Sequence, residues 1–87
     1  MNIRGVKQVR PRTFCKSRAF RAGYDDARKG KPPRFDIWGE WDVAYERGRQ
    51  VACHARARGE GIREIPVRSK IAPDDLMWLK LLLLDMR

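Results

Sequence analysis

The sequence predicts a mainly α chain: an αα-hairpin, then a C-terminal helix, with a basic arm in front. Three observations carry this. Ala19-Phe20-x-x-Gly23-Tyr24 and Trp41-x-x-Ala44-Tyr45-x-x-Gly48 lie on either side of Lys31-Pro32-Pro33. In each, an aromatic ring recurs at helical spacing beside a small residue, because positions i, i+3, i+4 and i+7 share one side of a helix. Third, residues 73–87 open with Pro73-Asp74-Asp75 and continue in leucine, the wording of a helix start and an apolar body.

At 87 residues the chain has the size of one small domain with a modest core. We divide it into a basic arm (1–16), the hairpin (17–58), a connector (59–72) and the C-terminal helix (73–87). In the arm, Ile3, Val6 and Val9 alternate with basic residues up to Pro11; their spacing fits neither strand nor helix well, so it reads as an extended or frayed segment.

The first helix starts at Thr13 or Ser17, either of which can cap it, and runs to about Lys29, where Gly30 and the prolines stop it. Phe20, Gly23, Tyr24 and Ala27 form its inner face. Arg18, Arg21, Arg28 and Lys29 fall opposite, with Asp25 among them. After a stiff basic turn over 30–35, Asp36 offers a cap for the second helix, which runs to about Arg58 before Gly59 and Gly61. Its apolar face gathers Trp38, Trp41, Ala44, Tyr45, Gly48, Ala52 and Ala55. Phe20, Tyr24, Trp41 and Tyr45 are expected to zip the pair, with Gly23 and Gly48 at the crossing. A helical glycine costs roughly 1 kcal/mol relative to alanine, so two on inner faces imply a packing reason. Trp41 is expected in the core and Trp38 at its exposed edge.

Residues 62–71 alternate in part around Pro66 and fit an edge strand or an extended connector. The last helix is apolar on nearly every side, Leu76 to Leu84 interrupted only by Lys80, so part of it is left for a partner or a dimer seam. This nine-residue run, Lys80 included, is far short of the roughly twenty a bilayer needs, and no apolar run follows Met1-Asn2-Ile3-Arg4. A cytoplasmic protein without a secretory signal or membrane contact is expected.

Charge is distributed unevenly. Of the formal net charge of +9, all lies in residues 1–35, with eleven Lys/Arg against Asp25 and Asp26; residues 36–59 and 60–87 are each neutral. Such asymmetry reads as one basic surface toward phosphates rather than general solubilisation. Arg10, Arg12, Lys16, Arg18, Arg21, Arg28, Lys29, Lys31 and Arg34 are the candidate nucleic-acid contacts. No zinc-finger spacing, RNP motif or KH loop is present to read bases. Partner-facing candidates are Trp38, Trp78, Leu82 and Met86, since aromatic and large apolar anchors carry interfaces.

Catalysis is not expected. Cys53-His54 lacks further ligands for zinc and an orienter for a base, with only Cys15 left to join. Asp25-Asp26 and Asp74-Asp75 are adjacent pairs that diverge on a helix, so they read as surface charge and capping. No metal or cofactor is implied.

Residues 17–55 resemble the ribosome modulation factor family, through Ala19-Phe20-x-x-Gly23-Tyr24, Gly30, Trp41-x-x-x-Tyr45-x-x-Gly48 and Ala52. Small phage- and plasmid-encoded relatives share the pattern. The resemblance implies a helical hairpin that binds the small ribosomal subunit and its RNA by steric occupation. Phe20, Gly23, Tyr24, Trp41, Tyr45 and Gly48 would be structural, and the basic residues around them would make the contacts. Residues 60–87 have no counterpart in it. The alternative expectation is a phage or mobile-element inhibitor of a host complex, such as a CRISPR effector or polymerase, acting through the last helix. A homodimer through that helix is compatible with either.

Overall fold

The computed structural model describes residues 15–34 and 37–86; Arg10, Arg12 and the rest of the arm to residue 14, together with Asp36, lie outside them. Its helices are α1 (Arg18–Arg28), α2 (Asp42–Ala57) and α3 (Pro73–Asp85), and a 3-10 turn, Gly39–Trp41, leads into α2. The mainly α class is therefore observed.

Each helix begins and ends where local chemistry directs. Ser17 caps α1 by accepting the Phe20 amide at 3.1 Å. At the other end Gly30 takes φ +73°, its amide bonds the Ala27 carbonyl (3.1 Å) and the Lys31 amide bonds that of Asp26 (2.8 Å). The same pair of bonds closes α2, Gly59 (φ +75°) to Arg56 at 3.0 Å and Glu60 to Ala55 at 3.1 Å. Both are Schellman stops, which only glycine enters without strain. α3 opens on Pro73 with Asp74 and Asp75 in its first turn.

α1 and α2 cross with their backbones in contact. A Cβ on Gly23 would lie 2.8 Å from the Tyr45 carbonyl carbon and closer still to its oxygen; one on Gly48 would meet the Phe20 carbonyl in the same way. Around this point Phe20, Tyr24, Ala44, Tyr45, Val51 and Ala52 form the core, closed by Ile65, Ile71, Leu79 and Leu82. The helices run in the same general sense. Residues 16–19 share a concavity with Trp41 at the start of α2, while the Arg56 guanidinium at its end reaches the last carbonyl of α1, Arg28 (3.4 Å). A tight hairpin would pair opposite ends. The described parts of the segment between them, residues 29–34 and 37–41, instead lie back along the pair, and the side-by-side glycine notches fix the crossing.

Two sequence expectations change here. The second helix does not start at residue 36, because Gly39 adopts φ +59°, outside the right-handed helical region; the α-helix begins at Asp42, whose carboxylate accepts the Trp38 amide at 3.3 Å. Residues 62–71 form no strand among the described residues. They cross α1 as an extended connector whose carbonyls are taken by side chains. Arg21 donates to Pro66 O (2.9 Å) and Ser69 O (2.6 Å), and the Tyr24 hydroxyl to Arg63 O (2.7 Å). Pro66 has no amide to offer a ladder, and Ile65 and Ile71 plug into the core.

Gly48→Ala is expected to lower stability by about 1–3 kcal/mol, the usual range for overpacking, and the melting temperature by several degrees. Gly61→Ala, with nothing within 4 Å of its would-be Cβ, is the control. A Gly48→Ala protein as stable as the parent would refute the backbone-contact crossing.

Candidate nucleic-acid interface

The basic residues of α1 divide by what the fold asks of them. Arg21 is not on the exposed face: it is 9% exposed, its guanidinium turned onto the connector carbonyls. Burial and the neighbouring Arg18 hold its pKa below the ordinary guanidinium value, and the three hydrogen bonds it donates, including one to Ser17 O at 3.4 Å, satisfy a charge that would otherwise be costly to bury. Arg21 is thus removed from the nucleic-acid candidates.

Asp26, expected at the surface, is buried. Its carboxylate accepts the Tyr45 hydroxyl at 2.6 Å and a bidentate pair from Arg34 at 3.0 and 3.2 Å; the Tyr45 oxygen in turn accepts the Arg34 amide at 3.0 Å. This knot fastens the 31–34 segment to both helices. Arg34 stays solvent-exposed but already neutralises an acid. Asp25 pairs with Arg28 (2.8 Å) and Lys29 (3.0 Å). Partial burial pushes its pKa up, but these two cations outweigh that and leave it below 3.8.

Two groups of cations remain. At the shared C-terminal end of α1 and α2, Arg28, Lys29 and Lys31 meet Arg49 and Arg56, whose guanidinium groups donate to Lys31 O (2.9 Å) and Arg28 O (3.4 Å). Helix C-termini carry partial negative charge, which favours cations there. Sequence reasoning missed Arg49 and Arg56 because residues 36–59 are neutral as a block; their seven-residue spacing, one side of α2, was the available signal. At the other end Lys16 and Arg18 are exposed, and among the described residues neither is in an ion pair. Arg18 and Lys29, eleven residues apart, fall on one side of α1, so the two groups are joined along it.

The tryptophans exchange their expected places. Trp38 is half-buried and stacks on Tyr45 (6.2 Å between centroids, 21° between planes). Trp41 is 39% exposed. A 3-10 turn advances about 120° per residue against 100° in an α-helix, which rotates Trp41 out of register with Ala44, Tyr45 and Gly48. It stands instead beside Lys16, Arg18 and Ala19, around a concavity of about 430 Å³.

On α3, Leu82 is buried and therefore a core residue, not a partner anchor. Trp78 packs edge-on against Tyr24 (6.0 Å) beneath the Arg63 guanidinium (5.1 Å), and Met86 is half-buried against the core. The residues left facing outward are Met77 (52% exposed) and Leu81 (58%), one turn apart. No described helix is long and apolar enough to cross a membrane.

His54 reaches from α2 to the end of α3. Its Nε2 lies 2.8 Å from Asp85 Oδ2, which also accepts from Arg58. An acid in the last turn of α3 opposes the helix dipole, and these two α2 residues offset it. Cys53 is exposed and Cys15 buried, its thiol pushed up to about 12 by burial. Among the described residues no group of His, Cys, Asp and Glu is arranged to hold a metal ion.

No family model matches the chain, and no curated protein or solved structure is significantly similar to it.

Two outcomes test these assignments. Arg21→Ala leaves the Pro66 and Ser69 carbonyls unpaired, and the loss of bonds to a charged donor should cost about 1.5–3 kcal/mol in a denaturant titration; an unchanged midpoint would return Arg21 to the surface. Asp85 is held below its ordinary 3.8 by hydrogen bonds from His54 and Arg58, so its stabilising contribution is present above pH 3.8 and lost as pH falls through the depressed value. Melting curves of the parent and Asp85→Asn should differ at pH 6 and converge in acid below that window; curves that stay equally separated in acid would contradict it.

Proposed function

We propose that this chain is a small RNA- or ribosome-associating protein that acts by steric binding rather than catalysis. The observation that carries the reading is the fate of the positive excess of residues 1–35. Arg21 and Arg34 serve the fold, while Lys16, Arg18, Lys29 and Lys31 remain exposed on or beside α1, joined by Arg49 and Arg56 at its C-terminal end. Cations held on a rigid helix pair neutralise phosphates and release counterions without the ordering cost that mobile side-chain scaffolds bear. The resemblance of residues 17–55 to ribosome modulation factors supports the small ribosomal subunit as the target. Binding there occludes a functional surface, and no bond is made or broken.

A tagged chain in bacterial lysate should bring down ribosomal RNA and proteins, and lose them with nuclease or raised salt. Replacing Lys16, Arg18, Lys29 and Lys31 with Glu should abolish this capture and leave the helical circular dichroism intact, since none is in the core. Neutralising the same four with Gln should reduce the salt slope of binding by about 3, at roughly 0.7–0.9 per phosphate contact. Undiminished binding by the Glu protein would reject the reading.

A second reading is favoured by Met77 and Leu81. Two large apolar side chains one turn apart on an exposed helix face fit an inhibitor, phage or mobile-element encoded, that covers a host protein complex. Its signature would be a stoichiometric, nuclease-resistant protein lost on Met77→Lys with Leu81→Lys.

A further inference from the structure

Trp41 is the large aromatic residue that the fold leaves outward at the start of α2. Its neighbours across the concavity are Lys16, Ser17, Arg18 and Ala19. Three features of this place belong together. The indole is accessible although Trp38, three residues earlier, is packed on Tyr45. Among the described residues the two cations beside it are in no ion pair, and α1 has no acid in its first turn. The floor is small, Ala19 and the Ser17 cap, so a flat group can approach.

An aromatic face flanked by unpaired cations complements a nucleotide with an accessible base: the ring takes the π-face and the cations the adjoining phosphates. Double-stranded RNA presents its phosphates but keeps its bases stacked inside. Of the two acids adjoining Trp41 in sequence, Glu40 is exposed and is not among the residues around the concavity, and Asp42 accepts the Trp38 amide.

We propose that Trp41 is a stacking platform for an unpaired RNA base, with Lys16 and Arg18 holding its flanking phosphates. The inference rests on the RNA-binding reading above and adds a strand preference to it: an unpaired segment is engaged at this end of the helix pair, and the Lys29–Arg56 end takes backbone phosphates only. Stacking is sequence-tolerant, so the platform selects strandedness rather than sequence.

The test uses the full chain with a fluorescein-labelled oligoadenylate of about ten nucleotides, within the span of common single-strand sites, and a duplex RNA of equal length. Trp41→Ala should weaken binding of the single strand about tenfold, leave the duplex unaffected and leave the salt slope unchanged. Trp41→Phe, which keeps a ring, should restore most of the loss. Lys16→Gln with Arg18→Gln should instead weaken both RNAs and flatten the slope. Circular dichroism and melting of each variant report folding; if Trp41→Ala unfolds, quenching of Trp41 emission decides, read as the single-strand-induced difference between the parent and Trp41→Phe. Equal single-strand affinity for parent and Trp41→Ala, or quenching identical in parent and Trp41→Phe, overturns the platform and leaves RNA binding standing. A parent chain that binds neither RNA overturns both.

Discussion

The contact between the backbones of α1 and α2 at Gly23 and Gly48 governs the rest of the molecule. Helices with side chains at a crossing keep their axes about 8–10 Å apart; without them, carbonyls and amides of one helix touch those of the other. That approach lets Phe20, Tyr24 and Tyr45 wrap around the crossing instead of separating the helices, and so a short chain closes a core. It also brings like ends together, which a conventional hairpin would not. The two C-termini then form one site of partial negative charge, and the cations that gather there are stabilised by the fold before any partner arrives.

Buried polar groups fix what the crossing leaves free. Arg21 secures the connector and Asp26, with Tyr45 and Arg34, secures the segment after α1. Both are charged groups that burial would penalise, and both are bonded to several partners. Their cost is offset by what they order, since residues 31–34 and 61–72 contain little regular structure to hold themselves in place. The consequence for function is a division of labour among arginines that look alike. Those within reach of a buried acceptor become structural, and those facing outward remain available to a polyanion.

The C-terminal helix buries one side: Leu79 and Leu82 lie in the core and Trp78 packs against Tyr24 and Arg63, while Asp85 is held by His54 and Arg58. On the opposite side of this helix the Met77 and Leu81 stripe stays exposed and is open to a protein partner.

Periodicity and punctuation in the sequence determined the helical class, the stops at Gly30 and Gly59, the start at Pro73 and the choice of Gly23 and Gly48 as the crossing, and narrowed the first cap to Thr13 or Ser17. All are local: a glycine in a left-handed turn or a ring three residues from another acts within its own segment. Tertiary structure decided the direction of the crossing, the burial of Arg21 and Asp26, and the exchange of Trp38 for Trp41. Each depends on groups distant in sequence or on a change of helical pitch. Arg21 differs from Arg18 only because residues 66–69 pass over one and not the other. Trp41 faces solvent because the chain enters α2 through a 3-10 turn whose pitch sets this ring off the register of Ala44 and Tyr45, and no composition or spacing rule records that rotation.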